Sequence, residues 1–204
     1  MFMHDRPIMK TLMTYPYVTW DNWFSEENLQ QIEDYCKTQT INSATIVSGN
    51  NATDIIEDTY RKSDIGFIYS NDETKWIFDS LLQLTAHLNN NYYGYDLSGF
   101  DHFQYTEYNG EGTKYDYHTD MIFGDQIPSD LILPRKLSFS LILSNSDEYT
   151  GGDFEILIGK KSNPVTQTRG RVIAFPSFVL HRVTPLTSGV RKSIVFWAVG
   201  PKFK

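Results

Sequence analysis

The chain has 204 residues, of which 40% are hydrophobic and 21% charged, with a formal net charge of -7. Such a length and balance allow a substantial core in one domain spanning 1–204 and exclude a disordered chain, while the acidic charge argues against general binding to nucleic acid phosphates. Cys36 is the only cysteine, which excludes an internal disulfide and a cysteine-rich zinc site and suits a reducing compartment.

In chain order, the opening MFMHDRPIMK is interrupted by Asp5, Arg6 and Lys10, where a signal peptide needs an unbroken apolar core. No apolar run is long enough to span a bilayer. The expectation is a cytoplasmic chain with no membrane and no nucleic acid partner. Ser25 then reads as the N-cap of a helix over Glu26 to Lys37, with Glu26 and Glu27 in the first turn, where the helix dipole favours them. Phe24 and Leu29 sit at the positions of a hydrophobic staple, and Leu29, Ile32 and Cys36 mark one buried stripe. A second helix is expected from near Asp72, with Ile77, Leu81, Leu84 and Leu88 on one face and the polar run Asn89 to Asn91 ending it.

From Phe100 the pattern becomes short strands separated by turns. Leu137, Phe139, Leu141 and Leu143 alternate with Ser138, Ser140 and Ile142, the period of a strand. Gly151-Gly152 marks a turn before Phe154 to Ile158, Arg171 to Phe175 precedes Pro176, and Arg191 to Val199 forms a last alternating strand. Helices followed by strands, without βα alternation, argue for an α+β fold with a β-sandwich or jelly roll. Ile122 to Pro134 has no clear period and is a candidate lid or substrate loop.

His118-Thr119-Asp120 is the first chemical motif. On a strand, residues i and i+2 share a face, so an imidazole and a carboxylate can meet on one ion. Alone, such a triplet is a weak signal. His181 lies in FPSFVLHRV, after a strand ending at Phe175, where the chain would turn back toward the sheet. Two histidines and one carboxylate form the facial triad of non-haem Fe(II), which leaves three coordination positions open for a bidentate 2-oxo acid and O2. A hydrogen-bonded core histidine is the competing reading of His181. Arg191, ten residues on, can meet a distal carboxylate bidentately, and Ser193 shares its face as a hydroxyl donor. Val195 and Trp197 continue that face. Gln104, Thr106 and Tyr108 share a face that fits a polar pocket, with Phe103 and Tyr105 on the other. Tyr108 is either a donor to a co-substrate carboxylate or a core tyrosine with a satisfied hydroxyl.

Together these segments resemble the 2-oxoglutarate/Fe(II)-dependent dioxygenase superfamily, in its prolyl 4-hydroxylase-like branch. The matching residues are Tyr108, then His118-Thr-Asp120, Thr-Gly-Gly-Asp-Phe, and FPSFVLHRV through Arg191-Lys-Ser193 to Trp197. The resemblance implies a double-stranded β-helix (jelly-roll) core over about 100–200, with N-terminal support helices within about 20–95. It implies His118, Asp120 and His181 as metal ligands, and Arg191, Ser193, Tyr108 and Phe154 around 2-oxoglutarate. Fe(2+), 2-oxoglutarate and O2 would be required, with ascorbate a candidate addition. The implied reaction hydroxylates a C–H bond of a small-molecule or peptide substrate and releases succinate and CO2. Ile142 and Leu143 stand where some members carry a tyrosine that contacts 2-oxoglutarate. Arg61, Lys62 and Asp64 are further candidates for the mouth of the barrel. The rival readings are a cupin-like metal enzyme of another class and an inactive jelly-roll binding module.

Overall fold

The computed structural model describes residues 15–48, 53–100, 102–121 and 133–202. The first part of the chain runs β1 (Val18–Trp20), α1 (Glu26–Lys37), β2 (Asn42–Ser43), β3 (Ile46–Ser48), β4 (Thr53–Ile55), β5 (Arg61–Lys62), β6 (Asp64–Tyr69) and α2 (Lys75–Leu88). Strands follow: β7 (His102–Asn109), β8 (Lys114–His118), β9 (Arg135–Ile142), β10 (Tyr149–Gly151), β11 (Phe154–Ile158), β12 (Lys161–Val165), β13 (Val172–Pro176), β14 (His181–Val183) and β15 (Leu186–Val199).

α1 has the bounds expected from its cap: the Ser25 hydroxyl oxygen accepts from the Asn28 backbone N–H at 3.2 Å, and Leu29, Ile32 and Cys36 are buried. α2 starts at Lys75, later than the apolar period suggests. The Asn71 side-chain oxygen accepts from the backbone N–H groups of Glu73 and Thr74 at 2.9 and 3.0 Å, so a turn outcompetes the first helical residues. The α-helix does end at the asparagine run, with Asn89 as its C-cap, although the winding does not stop there. One π-helical turn, Asn89–Tyr93, continues it until Gly94 adopts φ 65°.

The expectation of helices first and strands second needs a larger correction, because the N-terminal part supplies strands to both sheets. The larger sheet has the order β1-β13-β9-β15-β7-β6-β2, with β10 pairing the start of β15. The smaller has the order β12-β11-β14-β8-β5, and β3 pairs β4 separately. Pairing throughout is antiparallel, and neither sheet closes on itself. This is the open jelly roll expected, extended by β1, β5 and β6. In β6 the strand period is hidden by Gly66. An added Cβ there would come within 3.1 Å of the Thr40 carbonyl oxygen, so the sequence has glycine where an alternating side chain would have signalled a strand.

Two apolar clusters share the larger sheet. Its outer face, with Phe103, Tyr105, Leu137, Phe139, Leu141, Ile194 and Phe196, packs against Leu29, Ile32, Ile77, Leu81 and Leu84 of the helices. Its inner face adds Tyr108, Ile142, Ile173 and Phe175 to Phe154, Ile156 and Val183 of the smaller sheet. Alternation along β9 therefore sends leucine and phenylalanine to the helices and Ser138 and Ser140 inward. Those serines are buried because they face a polar site, not because the strand is dry on both sides.

Candidate metal centre

His118 is the last residue of β8 and His181 the first of β14, and the two strands pair so that these residues stand opposite each other. Asp120 lies beyond the end of β8, so the expectation that one strand face presents both His118 and Asp120 is corrected. Its position is instead set by Ser177, whose carbonyl accepts from the backbone N–H groups of Asp120 and Met121 at 2.9 and 3.1 Å. One ligand atom from each of His118, Asp120 and His181 lies within 4.8 Å of the others. His118 Nε2 is 3.8 Å from Asp120 Oδ1, and His181 Nε2 is 3.6 Å from Asp120 Oδ2.

Protonation follows from the neighbours. His118 Nδ1 is 2.7 Å from the Asp116 carbonyl oxygen, and His181 Nδ1 is 3.0 Å from that of Val179. A carbonyl can only accept, so each Nδ1 carries the proton and each Nε2 turns a lone pair inward. Burial, and then the neighbouring His181, push the His118 pKa down to about 3, so its imidazole is neutral at ordinary pH. Burial pushes Asp120 up, but His181, His118 and a hydrogen bond from Ser138 outweigh it and hold the carboxyl below its usual range. Asp120 Oδ2 is buried and has no hydrogen-bond partner among the described residues. Two imidazole nitrogens and one carboxylate converging on one point suit a divalent transition metal such as Fe(II).

Aromatic rings fence the cluster. Tyr115 stacks on His118 at 3.5 Å with planes 14° apart, and the Phe175 and Phe154 centroids lie 4.5 and 5.6 Å from that of His181. A cavity of about 630 Å3 adjoins the three side chains, lined also by Tyr108, Phe154, Arg191 and Ser193. Register builds its floor: Arg191 stands opposite Tyr108, Ser193 opposite Thr106, and Val195 opposite Gln104. On the other side of β15, Val195 faces Ser140 and Trp197 faces Ser138. The Arg191 side chain donates from Nε to Gln167 Oε1 at 2.8 Å and from Nη1 to Ser193 Oγ at 3.3 Å. Its Nη2 is buried without an acceptor among the described residues, and the residue is 1% exposed. An unsatisfied guanidinium nitrogen in one wall and an unsatisfied carboxylate oxygen in another leave places for an anionic and a cationic group in the same cavity.

Several contributors escaped the sequence reading. Gln167 sits in a loop before β13 and orients Arg191, and Tyr149 of β10 lies near enough to that guanidinium to favour its charge. Neither position carries a periodic or motif signal. Arg135 lies over the Trp197 ring at 3.7 Å, with Nη1 3.4 Å from the Asp120 carbonyl oxygen. Tyr115, two residues before Tyr117 and three before His118, was legible only as a strand aromatic. The suggested lid, Ile122 to Pro134, falls outside the described residues except for Leu133 and Pro134.

Three side chains that could hold a metal ion, set in an antiparallel jelly roll with a buried arginine lining the same cavity, define the class of site. Residues 103–199 match the family model described as the 2OG-Fe(II) oxygenase superfamily. Over this stretch the chain is similar to that superfamily. A PKHD-type hydroxylase of Hyphomonas neptunium is 42% identical over 89 residues, 43% of this chain and 38% of the relative. One from Stenotrophomonas maltophilia is 35% identical over 99 residues, 46% of this chain and 41% of the relative. The chain thus spans about two fifths of the length of these curated relatives. A Pseudomonas putida prolyl-4-hydroxylase shares the fold with a TM-score of 0.72 at 19% identity, over 94% of this chain and 96% of that one. A Trichoplax adhaerens prolyl hydroxylase, solved with a hypoxia inducible factor peptide fragment, gives 0.69 at 18% identity, over 92% and 85%. Among the described residues, no helix is long and apolar enough to cross a membrane.

Proposed function

We propose that this chain, acting as one domain over 1–204, is a 2-oxoglutarate- and Fe(II)-dependent dioxygenase. It would hydroxylate a C–H bond of a protein side chain or of a small amino-acid-type substrate. His118, Asp120 and His181 would hold Fe(II), and Arg191, Ser193, Tyr108 and Phe154 would seat 2-oxoglutarate. Iron and co-substrate together supply activation of O2, with one oxygen atom going to succinate as CO2 leaves and the other to the substrate hydroxyl. The chain's own work is placement. Carbonyls of Asp116 and Val179 keep both Nε2 atoms aimed at one point. The free Arg191 Nη2 would pair with the far carboxylate of the co-substrate, while Tyr108 supports the guanidinium from 5.4 Å. Phe154, Phe175 and Tyr115 exclude water from the imidazoles. Ascorbate is included as a reductant that would keep iron ferrous, and the lone buried Cys36 supports a cytoplasmic setting.

One observation carries this reading: three convergent acceptors, Asp120 Oδ2 unsatisfied among them, share a cavity with an unsatisfied buried Arg191 Nη2. The test is anaerobic titration of the Fe(II)-loaded protein with 2-oxoglutarate. A visible metal-to-ligand charge-transfer band is expected, with succinate release on admitting air. Iron binding without that band would favour a jelly-roll metal enzyme of another class.

A further inference from the structure

Among the described residues, three arginines line the cavity, and the proposed function gives a task to Arg191 but none to Arg61. It lies on β5, opposite Tyr115 of β8, and is 8% exposed. Its Nε donates to Ser63 Oγ at 3.1 Å, and its guanidinium carbon sits 4.4 Å over the Tyr115 ring, which itself stacks on His118. No carboxylate pairs with it among the described residues. Lys62 is exposed, and half-buried Asp64 accepts from the Ser43 hydroxyl instead, so of that polar run only Arg61 lines the cavity.

Burying a guanidinium costs several kcal/mol unless an anion meets it, and a cation–π contact offsets about 2 kcal/mol at most. The only acidic side chain lining the cavity among the described residues is Asp120, which is committed to the imidazoles. Arg135, the third lining arginine, already engages the Asp120 carbonyl and the Trp197 ring. Both carboxylates of 2-oxoglutarate are also spoken for in the reading above, one at the metal and one at Arg191. A cavity of about 630 Å3 is in the range that holds a drug-sized molecule, so a five-carbon diacid leaves room for a second occupant. We propose that the primary substrate presents a carboxylate to Arg61, within reach of the metal on the Tyr115 side. The inference rests on the oxygenase reading for the word substrate, and for the carboxylate on a buried arginine with no carboxylate partner among the described residues. A free amino acid, the C-terminus of a peptide and an acidic side chain all carry that group, and the test separates them.

The test uses calorimetric titration of the anaerobic protein, with Fe(II) and 2-oxoglutarate present and the charge-transfer band recorded in the same sample. Probes are matched acid and amide pairs: proline and prolinamide, lysine and lysinamide, peptides with free and amidated C-termini, and peptides with internal Asp or Asn. The expected result is binding of acid members at least 10-fold tighter than their amides, and loss of that preference in Arg61→Gln. Arg61→Lys, which keeps the charge, should retain a reduced preference and covers the case that Arg61→Gln does not fold. Which pairs respond identifies the source of the carboxylate. Equal binding of acids and amides, no acid binding, or an unchanged preference in both variants overturns the proposal. Absence of the charge-transfer band alongside Arg61-dependent acid binding would remove the oxygenase reading and leave the anion site standing.

Discussion

At Asp120 a buried carboxylate oxygen faces two imidazole lone pairs and finds no donor among the described residues. Even without metal, the imidazoles and Ser138 hold that charge, as its lowered pKa shows, so it contributes to the fold. Asp120→Asn would supply an amide N–H to an imidazole nitrogen. The metal-free variant keeps a hydrogen bond but loses the charge, and is expected to be less stable than the wild type by about 1 kcal/mol, while Fe(II) no longer raises the melting temperature. Paired calorimetric scans with and without anaerobic Fe(II) decide it; a large loss of stability in metal-free Asp120→Asn would show the carboxylate to be structural. His118→Ala is expected to abolish succinate formation, and wild-type-like turnover would remove His118 from the ligand set. Arg191→Ala should raise the 2-oxoglutarate concentration for half-maximal turnover at least 10-fold with a much smaller change for iron, and equal shifts in both would contradict a co-substrate role. These residues were legible because their types and order carry chemistry. Gln167 and Tyr149 were not, since an amide or phenol that orients an arginine across 24 or 42 positions leaves no local pattern.

The contacts that hold α1 to the strands are ionic as well as apolar. Glu33, buried on α1, takes Lys192 Nζ of β15 at 2.6 Å, Arg169 Nη1 at 2.8 Å and Lys37 Nζ at 3.2 Å. Arg169 also donates to the Leu143 carbonyl. Burial pushes the Glu33 carboxyl up, but the hydrogen bonds from Lys192 and Arg169 win and bring its pKa to about 2. A depressed carboxylate contributes stability that is fully present above the unfolded value, near 4.5, and is lost as pH falls toward 2. Glu33→Gln should therefore cost on the order of 3 kcal/mol at neutral pH and flatten the stability profile between pH 4.5 and 2. Chemical denaturation across that range checks both; an unchanged slope would mean that other carboxylates govern acid unfolding. α1 itself was readable to the residue, because cap, first-turn acids and apolar stripe agree. β1, β5 and β6 were not, because each is two to six residues long and draws its partners from strands far along the chain.

Across the whole molecule, one ply of backbone, β9 beside β15, separates the helix-packed core from the cavity. Phe139 and Phe196 stack at 4.5 Å on the helical side, while Ser140 and Val195 line the cavity behind them. Phe139→Ala should cost about 3–5 kcal/mol through loss of burial and the void left behind. The affinity of the remaining folded protein for 2-oxoglutarate should be unaltered; a parallel loss of affinity would show that the sheet transmits strain. The jelly roll was foreseen from the strands after Phe100, whereas the contribution of the N-terminal part to both sheets was not, since no single segment there has a period long enough to announce it.

That partition has an evolutionary corollary. Neighbouring positions on a single strand can thus be altered to different ends, one for thermal tolerance and the other for what the cavity admits. Mutations that harden the helical side can accumulate without retuning chemistry, and descendants can acquire new targets without first rebuilding their scaffold.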